Sequence, residues 1–218
     1  PPGPRLLGAP EPDVLRYFSS AEDSVTLLNL IKERPATMHC GMGGTTLRFL
    51  MAWAAIREGE EYLLTGDARL LERPHDPLLL ALLSLGADIT ITPQGFRVRG
   101  RRLAGGEVEL DSPVSSQFIS ALMMIGPMME NDIMIHWKGR KLSEPYVLMT
   151  AKVMAHFGAQ FTIHFHPGVR IEIEHGGYAA RLLTIPIDWS AASYFFQIAA
   201  LAPGSVISLR DLAFDDLQ

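Results

Sequence analysis

The sequence predicts an α/β fold made by repeating a βαβαββ unit, and three observations carry that prediction. Residues 78–91 (LLLALLSLGADITI) and 150–163 (TAKVMAHFGAQFTI) each run from an apolar helical pattern through Gly-Ala into a short alternating strand. Their glycines, Gly86 and Gly158, lie 72 residues apart, and the prolines of Glu72-Arg73-Pro74 and Ser143-Glu144-Pro145 lie 71 apart. Helix openings recur at a similar interval: Gly44-Thr45-Thr46, then Val114-Ser115-Ser116 about 70 residues on, then Ser190-Ala191-Ala192-Ser193.

The elements follow in order. Ser20-Ala21-Glu22-Asp23 reads as an N-cap with an acidic first turn, opening a helix to about Glu33; residues 1–32 are the remnant of an earlier, truncated unit. Residues 37–39 form a strand. Gly43-Gly44-Thr45 then starts a helix to about Ile56, with Leu47, Leu50, Met51 and Ala54 on one face. A strand at 61–65 and a loop through Glu72-Arg73-Pro74 lead to a second helix at about 77–85, where a proline near the start is tolerated and Gly86 supplies a left-handed stop. Residues 89–92 and 96–99 make a hairpin around Pro93-Gln94-Gly95. The second unit repeats this: strand 107–110, helix 116–125 with Phe118, Ile119, Leu122 and Met123 as its stripe, strand 132–137, helix 145–157 closed by Gly158, and strands 160–164 and 169–174. Equivalent helices start at equivalent places, so several helix N-termini should gather in one neighbourhood.

Composition narrows the function. The chain has 218 residues, of which 48% are hydrophobic and 20% charged, the balance of a globular protein with a sizeable core. A net charge of −5 provides no global positive field for nucleic acid or an anionic membrane, so an anionic substrate must be captured by a local cluster of Arg and backbone N–H groups. Cys40 is the only cysteine, which rules out an intrachain disulfide and fits a reducing cytoplasm. No apolar run has the ~18 residues of a membrane span, and Pro1-Pro2-Gly3-Pro4-Arg5 lacks the apolar stretch of a signal peptide.

Several motifs carry chemistry, each with a plainer structural alternative. Residues 41–48 (GMGGTTLR) are a glycine-rich turn into a helix, where bare glycines admit a ligand and the free N–H groups favour an anion; a tight turn serves as well. No Gly-Lys-Ser/Thr follows, so it is not a Walker A loop. Ser115-Ser116-Gln117 offers two hydroxyls and unpaired N–H groups as a phosphate seat, or simple N-capping. Arg69 and Arg73 sit in the loop at 65–74, suited to bidentate recognition of carboxylate or phosphate, or to surface salt bridges with Asp67 or Asp76. His164 and His166 share a strand face, but no third metal ligand is evident, and no metal site or cofactor is expected. Cys40 lacks a base partner and reads as a small apolar residue, and the methionines at 123, 124, 128 and 129 read as core filling.

Six segments together resemble the EPSP synthase (3-phosphoshikimate 1-carboxyvinyltransferase) family in order and spacing. They are GGTTLRFL (43–50), LTGDARLLERP (64–74), LLSLGADI (82–89), SPVSSQFISALMM (112–124), KLSEPYVLMT (141–150) and DWSAASYFF (188–196). The resemblance implies an enolpyruvyl transferase fold of two inside-out α/β domains, each of three βαβαββ units. Residues 1–187 would be the N-terminal domain, its first repeat truncated, and residues 188–218 the start of the second. It also implies transfer of the enolpyruvyl group of phosphoenolpyruvate to the 5-hydroxyl of shikimate 3-phosphate, in the shikimate pathway to aromatic amino acids.

Carried over residue by residue, Ser115, Ser116, Gln117, Ser143 and Tyr146 would hold shikimate 3-phosphate. Gly44 and Arg73 would contact phosphoenolpyruvate, with Gln117 near both, and Arg48 matches the family's loop arginine. The family's early Lys-Ser…Arg motif has no match before Ser20, and Met42 stands where the glycine loop usually has Asn or Asp. The acidic proton-transfer residues belong to the second domain of the same enzyme, so no catalytic acid or base is assigned here and the fragment alone should be inactive. Two alternatives share the fold: a UDP-N-acetylglucosamine enolpyruvyl transferase, which lacks Ser-Ser-Gln and carries a reactive loop Cys, and a non-catalytic binding module.

Overall fold

The computed structural model describes residues 21–111, 115–138, 144–165, 168–183 and 189–209. The first expected unit is β1 (Thr37–His39), α2 (Gly44–Ala55), β2 (Glu61–Thr65), α3 (Ala68–Leu71), α4 (Asp76–Ser84), β3 (Asp88–Thr92) and β4 (Gly95–Arg99), preceded by α1 (Glu22–Glu33). The second is β5 (Gly106–Leu110), α5 (Ser116–Ile125), β6 (Ile133–Trp137), α6 (Glu144–His156), β7 (Phe161–His164) and β8 (Val169–Ile173). A last helix, α7, spans Trp189–Leu201. The two units build two sheets of identical topology, β1-β2-β4-β3 and β5-β6-β8-β7, with the first pair parallel and the other two antiparallel in each. The repeat read from sequence is thus a repeat of structure.

Three local expectations need correction. The stretch 65–74 is not all loop: Asp67 accepts from the N–H groups of Leu70 and Leu71 and opens the short helix α3. The proline in the first turn of the next helix is Pro77, because α4 begins at Asp76 with His75 as its N-cap; Pro74 lies before it. The N-cap of α1 is Ala21, with no side-chain cap, although Glu22 and Asp23 do place acid in the first turn. The glycine stops are as expected: Gly86 (φ +96°) and Gly158 (φ +89°) adopt the left-handed conformation that costs a side chain 1–2 kcal/mol or so. Residues 1–20 and the expected 187/188 domain boundary lie outside the described residues.

Layering explains why the fold is inside-out. On α2 the expected stripe is buried, but so are Gly44, Thr46, Arg48, Ala52 and Ala55. On α5 eight of ten residues are buried, so neither helix has a solvent face. The sheets lie outside them. Each turns one face inward, Tyr62 and Leu64 opposite Val98 and Phe96 in one, Ile133 and Ile135 opposite Ile173 and Ile171 in the other. Each turns ion pairs outward, such as Arg97–Glu61 at 2.7 Å and Lys138–Glu109 at 2.5 Å. The helix α2 packs against α1, α4 and α5, and α5 against α6. Of the four methionines expected in the core, Met123 and Met129 are buried, while Met124 and Met128 are only half-buried. The helix α7 differs: of its residues only Ala192 is buried, while Tyr194, Phe195, Phe196, Ile198 and Leu201 are exposed.

Candidate functional site

A wholly enclosed helix should carry only apolar side chains, and α2 does not. Thr46 reaches the Asp23 carbonyl of α1 at 3.4 Å. Arg48 is 8% exposed, so its guanidinium must find partners inside the protein. It donates from Nη1 to Gln117 Oε1 at 2.5 Å and reaches the Pro74 carbonyl from Nη2 at 3.4 Å. Its planar head lies 4.7 Å from the Phe118 ring centroid, a cation–π contact. Its Nε has no partner. Burial, and then the neighbouring Arg73, lowers its pKa. Because a guanidinium only donates, the orientation of the Gln117 amide is fixed, and Gln117 Nε2 donates to Thr45 Oγ1 at 2.8 Å.

Arg73 approaches the same place from the α3–α4 connection. A Cβ built on Gly44 would sit 3.0 Å from Arg73 Nη1 and 3.5 Å from Arg48 Nη1. Two guanidiniums therefore converge on the first residue of α2, and glycine leaves the room for them. Among the described residues neither arginine has a carboxylate within ion-pair distance, so the expected surface bridge from Arg73 to Asp67 or Asp76 is not formed. Two cations without a carboxylate partner among the described residues, at a helix N-terminus, suit an anion by charge and by dipole. A cleft of about 530 Å³ opens beside it, lined by Met42, Arg69, Glu72, Arg73 and Pro74.

Arg48 is therefore no loop residue: it is a buried member of α2. Behind the two arginines, His75 is 3% exposed, holds Leu70 O at 2.9 Å through Nε2 and meets Phe96 edge-on at 5.4 Å. Burial lowers its pKa.

The equivalent start of the second unit carries hydroxyls. Ser115 caps α5, accepting from the Gln117 N–H at 3.3 Å, so the capping role is real. Its own O–H proton stays available to a ligand. The Ser116 hydroxyl has no hydrogen bond among the described residues. Tyr146, in the first turn of α6, is half exposed and lines a second cleft of about 440 Å³ with Pro145, Met149, Trp189, Ser190 and Ser193.

The structure thus brings together Gly44, Arg48, Arg73 and Gln117 as one cluster, with Ser115 and Ser116 adjoining it on α5. Ser143 lies outside the described residues, as does His166. His164 pairs with Glu172 at 3.6 Å, and no group of three metal-type side chains occurs among the described residues. Cys40 is 2% exposed, and burial pushes its thiol pKa up to about 12, so it is no nucleophile. Sequence reasoning missed Thr45, Phe118 and His75. Thr45 had a usable signal, since it sits three residues before Arg48 on one helix face.

An inside-out α/β domain with an arginine-lined anion seat at gathered helix N-termini is the architecture of an enolpyruvyl transferase domain. The sequence model of EPSP synthase (3-phosphoshikimate 1-carboxyvinyltransferase) matches residues 19–218, and the chain belongs to that family. It is 36% identical over 204 residues to the 3-phosphoshikimate 1-carboxyvinyltransferase of Bacteroides fragilis strain YCH46, covering 92% of this chain and 49% of that one. It is 39% identical over 174 residues to that of Methanoculleus marisnigri, covering 78% and 40%. The chain spans about half the length of the curated relatives it matches. The solved EPSP synthase from Acinetobacter baumannii shares the fold, with a TM-score of 0.62 at 24% identity over 78% of this chain and 38% of that one. No helix among the described residues is long and apolar enough to cross a membrane.

Proposed function

We propose that this chain supplies one domain of an enzyme that moves the enolpyruvyl group of phosphoenolpyruvate to the 5-hydroxyl of shikimate 3-phosphate, releasing phosphate, in the cytoplasmic shikimate pathway to aromatic amino acids. The observation that carries the reading is the meeting of Arg48 and Arg73 at Gly44, with no carboxylate partner among the described residues. Phosphoenolpyruvate, with a carboxylate and a phosphate ester on one carbon, suits two planar forks. Gln117 ties that seat to α5, where Ser115 and Ser116 present hydroxyls to the phosphate of shikimate 3-phosphate. Tyr146, and Ser143 by resemblance, would complete the shikimate 3-phosphate side.

The reaction needs a proton delivered to the vinyl carbon and one removed from the attacking hydroxyl. We assign neither step to a residue of this chain and place both in a second domain, whose closure would also exclude water. The exposed aromatic face of α7, a helix assigned by resemblance to that second domain, supports this division. The buried, unreactive Cys40 speaks against the UDP-N-acetylglucosamine reading.

Calorimetry tests the proposal. Shikimate 3-phosphate should bind this chain and UDP-N-acetylglucosamine should not; binding of the latter alone would sink it. A non-catalytic module would bind the first ligand yet give no turnover when the second domain is supplied in trans. By itself the chain should release no phosphate above background from the two substrates.

A further inference from the structure

The helices α5 and α6 pack against each other, and a pair of hydroxyls joins them. Ser120 Oγ and Thr150 Oγ1 lie 2.8 Å apart, and Thr150 Oγ1 also lies 2.9 Å from the Tyr146 carbonyl. A carbonyl only accepts, so the single Thr150 proton points to Tyr146 O and Ser120 must be the donor to Thr150. The relay runs from the Ser120 O–H to the Thr150 O–H to the Tyr146 C=O. Each donation polarises the next.

Its placement gives it meaning. Ser120 is 3% exposed and lies four residues after Ser116, one turn down the same face of α5. Thr150 lies four residues after Tyr146, one turn down the same face of α6. Two of the residues expected on shikimate 3-phosphate, Ser116 and Tyr146, therefore stand one turn above the two that bond to each other. Apolar side chains would fill this seam without the cost of burying hydroxyls, but they would allow the helices to slide. Directional bonds hold one register.

We infer that Ser120 and Thr150 are positioning residues for the shikimate 3-phosphate wall: their relay locks α5 against α6 and ties the Tyr146 backbone, so that Ser116 and Tyr146 face one ligand. This rests on the function proposed above, and the ligand class is a phosphorylated hydroxy-acid ring.

The test compares Ser120→Ala, Thr150→Val and Thr150→Ser in the 218-residue chain. Shikimate 3-phosphate affinity is read by calorimetry, local opening of α6 by hydrogen exchange of the amides at 148–151, and inorganic phosphate serves as a probe of the Arg48–Arg73 seat. Ser120→Ala and Thr150→Val should weaken shikimate 3-phosphate by roughly fivefold or more, the size of one hydrogen bond. They should speed exchange in α6 by a similar factor and leave phosphate binding within about twofold, while Thr150→Ser restores both readouts. A merely structural role would weaken both ligands and speed exchange together, and that outcome would also overturn the inference. The inference is overturned if affinity and α6 exchange stay at the unaltered level in Ser120→Ala and Thr150→Val, or if Thr150→Ser fails to restore them. Should the unaltered chain bind no shikimate 3-phosphate, the functional reading fails instead. The exchange data alone then decide: local acceleration upholds the relay, and its absence rejects it.

Discussion

Replacing Arg48 with Met separates what this residue does for the ligand from what it does for the fold. Methionine keeps the length of the stem and removes the charge. The fold loses the bond to Gln117, a charged hydrogen bond of about 1.5–3 kcal/mol, and the contact with Phe118, about 0.5–1 kcal/mol. Two gains offset part of this. The two guanidiniums reach within 3.0 and 3.5 Å of one point beside Gly44, close enough that their repulsion is of order 2–3 kcal/mol at an effective dielectric of about 20. Water around the exposed Arg73 reduces that to about 1 kcal/mol. A thioether on the Phe118 ring returns about 0.3–1.5 kcal/mol.

The expected net loss of stability is therefore about 1–2 kcal/mol, readable as a lowered urea midpoint with an unchanged m-value. Affinity for phosphoenolpyruvate or inorganic phosphate should fall far more, by about 10- to 100-fold, since half of the cationic seat is gone. The assay is calorimetry well below the denaturation midpoint. An Arg48→Met protein that binds both anions within twofold of the unaltered chain would refute the reasoning, and Arg48 would then be a buried structural cation.

Arg73→Lys keeps charge but loses the fork, so phosphoenolpyruvate affinity should drop, and Arg73→Ala should lower it about tenfold or more; shikimate 3-phosphate binding should hardly change, as parallel titrations would show. Changing Ser115 and Ser116 together to Ala should weaken shikimate 3-phosphate by about 1.5–3 kcal/mol per lost charged bond while sparing unphosphorylated shikimate; equal losses for both ligands would mark helix damage from the missing cap. His75 gives a pH signature. Its folded pKa lies below the ordinary 6.5, because burial and then Arg48 and Arg73 disfavour the imidazolium more than the Leu70 carbonyl and Asp76 favour it; below pH 6.5 the unfolded chain therefore takes up a proton that the folded chain resists. That contribution to stability is complete above pH 6.5 and is lost as pH falls through the folded pKa, with a slope of at most about 1.4 kcal/mol per pH unit. Urea midpoints at pH 7 and 5.5 should differ less in His75→Leu, and an unchanged difference would assign the slope to other groups.

Much of the fold was legible because it is periodic. The stripe of Leu47, Leu50, Met51 and Ala54, the stops at Gly86 and Gly158 and the hairpin at Gly95 are all local patterns with local causes. The grip of Arg48 and Thr45 on Gln117 was not legible, because it joins residues 69 and 72 positions apart and depends on how two helices pack. The helix α3 escaped notice because four residues are too few for a period. The burial of Arg48 was hidden for a different reason: charge argues for the surface, and only a helix enclosed on every side, with Phe118 and Gln117 waiting for the guanidinium, overrides it. The unpaired state of Arg73 was also invisible, since Asp67 and Asp76 are near in sequence but turned elsewhere in space.

The hydrogen bond between Thr45 and Gln117 has a consequence of its own. Thr45 is the second residue of α2, Gln117 is the second residue of α5, and their separation of 72 matches the spacing of Gly86 and Gly158. The contact is therefore between corresponding members of a duplicated motif, as across a symmetry element within one polypeptide. One position earlier, the correspondence pairs Gly44 with Ser116. In the function proposed, the same backbone frame would present two anion seats that differ only in decoration, one bare and ringed by guanidiniums, the other set with hydroxyls. Discrimination between two phosphate-bearing molecules then needs no difference in scaffold. Exchanging the few side chains at the two helix starts should exchange their preferences, while leaving the paired sheets outside them untouched.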